Sequence, residues 1–247
     1  MNVDNETVPA EQDPMDKPLP LGFILLIPVW AVIIVSLLIF PIAGDWRWWE
    51  GWAFVLSFAV NMGIGYAVIN QRNPRVIRNR AKTKKQGLTA MTKKSASSDW
   101  FIMPFLAIGF YGALLIPALG HRHGWPSVPV SLEIIGLILS NVGTAIMSIA
   151  MLQNSYASKI LDINEGQRLI DTGLYAHVRH PLYASAIPMI LPVPLALGSW
   201  WGLIPAVVAV LSLVVRIEFE EKMLVAGMDG YEDYQRRVKH KLIPGIY

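Results

Sequence analysis

The chain has 247 residues, 53% of them hydrophobic and only 16% charged, with a formal net charge of +3. That balance, with a mean hydropathy of +0.42, excludes an ordinary soluble domain and places the chain among membrane proteins. It has no cysteine, which excludes disulfides, thiolate metal sites and a cysteine nucleophile.

Residues 1–20 are polar and carry five acids, Asp4, Glu6, Glu11, Asp13 and Asp16. They read as a polar N-terminal tail rather than a cleavable signal. Leu21 to Ala43 has no charge and suits one helical span of about 30 Å. Pro28 is a point where it can kink. Trp46, Trp48 and Trp49 follow in a short loop and read as an interfacial belt. Gly51 to Ile69 is the second span. Between Gln71 and Asp99, nine Lys and Arg residues stand against a single acid. Without interleaved aromatics this is not a nucleic-acid surface. The positive-inside rule makes it a cytosolic loop in contact with anionic lipid.

Trp100 to Leu119 and Ile134 to Leu152 are the third and fourth spans. His121 and His123 lie between them with no companion ligand cluster, so they read as a solvated loop and no metal is expected. Glu133 is expected at the membrane interface. From Pro181 to Val215 no residue is charged, and one continuous helix of that length would reach about 52 Å. Pro192, Pro194 and Gly198 in its middle predict two shorter helices joined near Gly198–Trp200. The fold expected is all-α: a polytopic integral membrane protein of about six transmembrane helices, both termini cytosolic, with an active site at the cytosolic face. Residues 21–152 form a four-helix region with the basic loop 71–99 inside it.

Chemistry concentrates in the last hundred residues. Gly173 to Tyr183 packs an arginine, two histidines and two tyrosines into eleven residues. Pro181 holds His180 out of the αR region and suits the first turn of a following helix. A helix mouth of that kind offers unpaired N–H groups to a carboxylate. Under the six-span plan this stretch meets Arg216–Glu221 and the tail from Asp229 at one face. Arg216 and Glu220 are four apart and share a helical face, with Glu221 about 100° around the axis. Simple anchoring of a helix end is the structural alternative. No glycine-rich dinucleotide loop, Walker loop, nucleophile elbow or histidine-rich di-iron pattern occurs.

These same residues carry a family resemblance. Asn154–Ser158, Gly173-Leu174-Tyr175, Arg179-His180-Pro181-Leu182-Tyr183, Glu220-Glu221-Lys222-Met223-Leu224 and Tyr231-x-x-Tyr234-x-x-Arg237-Val238, then Leu242-Ile243-Pro244, resemble the isoprenylcysteine carboxyl methyltransferase family, particularly its bacterial members. Asn73-Pro74 and Arg78–Lys82 fit the family's basic loop more loosely. The resemblance makes residues 153–247 the methyltransferase region. It implies S-adenosylmethionine as donor, held without a Rossmann domain by Gln167, Arg168, Leu169, Ile170, Tyr175, His180, Pro181, Leu182 and Tyr183. It implies Arg216 and Glu220 on the acceptor side, a lipophilic acceptor bearing a carboxylate, and residence in a bacterial inner membrane. A phospholipid or small-amine N-methyltransferase and an NADPH-dependent sterol-reductase-like enzyme share parts of this pattern. A scaffold or transporter is the reading from another class, and the scarcity of polar residues at mid-membrane weighs against it.

Overall fold

The computed structural model describes residues 14–79, 97–154 and 169–247, and among them it is helical with no strand. Four long helices come first: α1 (Leu21–Ala43), α2 (Trp49–Arg72), α3 (Ser97–His123) and α4 (Val130–Gln153). All four contain a stretch long and apolar enough to cross a membrane. Their outward faces invert the usual rule of exposure: Phe23, Leu26, Trp30, Ile34 and Leu37 recur every three or four residues along α1, each at least half exposed. A contiguous apolar face of that size belongs against lipid. The protein is a polytopic integral membrane protein.

The uncharged run after Pro181 does divide. α5 (Pro181–Ile190) is followed by one turn, α6 (Val193–Ala196), and then by the long α7 (Leu203–Gly227). Pro192 and Pro194 remove two helical donors, and Gly198 turns the chain at φ +76°. The Val128 amide donates to the Gly198 carbonyl at 3.3 Å, and Ser127 bridges to Ser199. Residues 198–199 therefore lie beside the α3–α4 connection, at the opposite end of the bundle from Gln153 and Gly173. The run crosses the bundle twice, as its central prolines and glycine predict.

Glycines set the closest approaches. A Cβ on Gly143 of α4 would lie 2.3 Å from the Met189 amide nitrogen, and one on Gly109 of α3 would lie 2.5 Å from that of Ala209. In lipid, where apolar surface gives helices no preference for one another, such backbone-to-backbone packing is what holds them together. The main core cluster, with Ile39, Phe40, Trp48, Phe54, Leu114 and Leu197, fills the end near the α3–α4 connection.

Two expectations change at that end. Trp48 is not in an interfacial belt: it is 2% exposed and stacks on His121 at 5.0 Å. Gly51 makes its place, since a Cβ there would sit 2.8 Å from the indole. Trp46 and Trp49 remain exposed. His121 and His123 belong to α3 rather than to a solvated loop, because the helix continues past its apolar stretch, and His121 also meets Asp45 at 3.1 Å. Glu133 lies in the first turn of α4 but is covered by protein, 5% exposed.

Candidate active site

At the other end of the bundle, Gly173 opens a 3₁₀ turn, Gly173–Ala176, at φ +61°. A side chain there would collide with Gln153, whose Oε1 accepts from the Leu174 amide at 2.9 Å. The last residue of α4 thus fixes the first residues of the motif loop. Tyr175 turns inward; Asn154 donates to its hydroxyl at 3.1 Å, and the Tyr234 hydroxyl donates to its carbonyl at 2.7 Å. Tyr234 and Tyr231 belong to α8 (Tyr231–Arg237). Burial raises both phenols above the ordinary range, so both are neutral hydrogen-bonding groups. His180 stands before α5 at φ −123° and ψ 64°, with Pro181 in the first turn, the non-helical geometry that a following proline favours.

Glu221 is the centre of the polar network. Its carboxylate accepts from Arg179 through Nε at 2.6 Å and Nη2 at 3.1 Å, and lies 3.1 Å from His180 Nε2. Gln235 Nε2 approaches at 3.4 Å and Lys241 Nζ at 3.6 Å. Arg179, His180 and Glu221 are all more than nine-tenths buried. The free side of the Arg179 fork, Nη1, donates to the carbonyls of Val238 at 2.7 Å and Lys239 at 2.9 Å. The backbone repeats the connection: the Arg179 and His180 amides donate to the carbonyls of His240 at 3.0 Å and Lys241 at 2.9 Å. Burial works against the Lys241 ammonium, but Glu218 and Glu221 outweigh it and raise its pKa.

One turn away the chemistry changes. The Tyr183 hydroxyl donates to Glu220 Oε2 at 2.5 Å, and the Arg216 guanidinium lies 5.9 Å from the centre of the Tyr183 ring. Arg216 is 7% exposed. A groove of about 360 Å³ runs beside it between α3 and α7, walled by Phe101, Ile102, Phe105, Val208, Ser212 and Val215. Ser212 is four residues before Arg216 and shares its helical face, so one residue of the groove wall stands a turn away from the buried cation.

The residues expected from sequence are distributed over this arrangement. His180, Arg216 and Glu220 gather around Tyr183 near the start of α5, whereas Tyr175 is held by Asn154 and Tyr234. Leu182 turns away into an apolar cluster with Ile24, Ile69 and Met151. Leu169 packs on Tyr231, Tyr234 and Val238, with Ile170 half-buried beside it and Pro181 buried at the helix start. Gln167 and Arg168 lie outside the described residues. Sequence reasoning assigned no role to Gln153, and it treated Glu221 as a neighbour of the Arg216–Glu220 face. The only signal for Glu221 was its place in the Glu220–Glu221 doublet, with Arg179 opposite in the other motif. Among the described residues no group of three metal-binding side chains occurs.

No curated protein matches the chain. Residues 134–226, which run from the first turns of α4 almost to the end of α7 and contain Arg179, His180, Arg216, Glu220 and Glu221, match the model of the Isoprenylcysteine carboxyl methyltransferase (ICMT) family.

Proposed function

We propose that the protein uses S-adenosylmethionine to methylate the carboxylate of a lipophilic acceptor that reaches the site from the bilayer at the cytosolic face. The observation that carries this reading is Arg216, a buried guanidinium beside the Tyr183 ring, on the same helix that lines the apolar α3–α7 groove. A guanidinium grips a carboxylate through two parallel bonds, and the groove suits the acceptor's apolar part.

The residues present fit the donor. The Tyr231 hydroxyl is buried without a hydrogen-bond partner, a polar atom with capacity left for a ligand. The donor supplies an electrophilic methyl group on a sulfonium, whose transfer leaves a neutral thioether. A carboxylate acceptor is already nucleophilic at neutral pH, so no proton has to leave it. The chain's task is placement and exclusion of water. Arg216 holds and orients the acceptor. Tyr183 bonds to Glu220, which keeps that carboxylate turned towards the phenol. His180, Tyr175 and Leu169–Ile170 border the donor side. The excess of Lys and Arg in loop 71–99 supports a cytosolic position for this face and both termini, and the resemblance to bacterial members supports residence in a bacterial inner membrane.

Calorimetry of purified protein with S-adenosylhomocysteine and, separately, NADPH tests the reading. We expect saturable binding of S-adenosylhomocysteine and none of NADPH. Binding of NADPH alone would move the protein to the reductases, and binding of neither would favour a non-catalytic role.

A further inference from the structure

We infer that Glu221 is a positioning residue: through Arg179 and His180 it ties the C-terminal strap, Val238 to Lys241, across the motif loop and so holds the donor side of the site in shape. The inference rests on the donor reading given above. It does not require any of the three side chains to touch substrate.

Three layers of contact carry it. The Glu221 carboxylate accepts both arms of one face of Arg179 and approaches His180. Arg179 then uses its remaining arm on two strap carbonyls. Beneath them, the amides of Arg179 and His180 pair with the next two strap carbonyls. The strap comes back to the same acid through Lys241, which also pairs with Glu218. Four of the five Arg179 N–H donors thus bond to protein partners, with its charge cancelled by Glu221. A buried arginine satisfied in this way organises structure rather than capturing an anion. The motif loop has two further ties to the same C-terminal segment: Asp171 accepts from Arg237 at 2.7 Å, and Tyr234 holds the Tyr175 carbonyl. The donor side is therefore one wall made from two distant parts of the chain, and Glu221 of α7 is the buried anion between them.

Glu221→Gln keeps the shape of the side chain and removes the charge that matches Arg179. The full-length protein in detergent is examined by hydrogen exchange at the Arg179 and His180 amides and by calorimetry with S-adenosylhomocysteine. We expect those two amides to exchange at least tenfold faster, and S-adenosylhomocysteine to bind at least tenfold more weakly. The acceptor KM should change less than twofold. Unchanged amide exchange would overturn the tie, and faster exchange with unchanged binding would overturn its role in positioning. Should Glu221→Gln fail to fold, Arg179→Lys takes its place with the same two readouts, since it keeps the charge and loses the fork. Failure of the wild type to bind S-adenosylhomocysteine would refute the donor reading, and with it the positioning role, while the exchange measurement still decides whether the strap is tied.

Discussion

At the scale of single residues, neighbouring glutamates on α7 have separate work because a helix turns about 100° per residue. Glu220 faces Tyr183 and Arg216; Glu221 faces Arg179 and His180. If Arg216 holds an acceptor carboxylate, Arg216→Ala removes a desolvated charge-assisted contact of about 1.5–3 kcal/mol. That corresponds to a loss of roughly ten- to a hundredfold in kcat/KM, with S-adenosylhomocysteine affinity unchanged by calorimetry. Glu220→Gln should then be mild at all pH values, because the amide can still accept from Tyr183. A severe, pH-dependent loss would instead assign Glu220 as a base for an amine or hydroxyl acceptor. Sequence spacing placed Arg216 and Glu220 on one face, but nothing local shows that the next residue is buried. That depends on the strap, more than fifteen residues further along the chain.

At the scale of elements, glycine contacts decide how the helices meet. Gly143 faces backbone, which cannot swing aside as a flexible side chain can. Gly143→Val should therefore cost at least the about 1–3 kcal/mol typical of overpacking, seen as a lower midpoint of thermal unfolding in detergent. Gly22→Ala is the control: nothing lies within 4 Å of a Cβ there, so the midpoint should stay or rise slightly. An unchanged midpoint in Gly143→Val would mean that α4 and α5 are not packed this closely. The prolines and Gly198 announced the break after α5 from sequence, because they act on their own backbone. The partner of each glycine was not legible, since a missing side chain says that something can come close without saying what.

For the whole molecule, an even number of crossings returns the chain to the face it left. Reporter fusions at residues 90 and 240 should therefore report the same, cytosolic side, and one at residue 126 the opposite side. Fusions at 90 and 240 on opposite sides would mean that 181–215 crosses only once. The arrangement also explains why the polar network can be so dry. The motif loop, the end of α7 and the strap cover one another at a single end of the bundle, leaving Arg179, His180 and Glu221 buried although each lies beyond an uncharged membrane run.

Membrane class, the all-helical fold and the break in the uncharged run after Pro181 were determined by the sequence alone, because hydropathy and proline act locally and add up along the chain. The motif residues between Gly173 and Pro244 were legible for the same reason, as short contiguous words. Only the tertiary structure decided what those residues face. Trp48 left the interface because Gly51 opened a place for it, and Arg179 was claimed by Glu221 and the strap. Direction around a helix and contacts across many residues depend on how separate segments pack, and no local pattern contains that information.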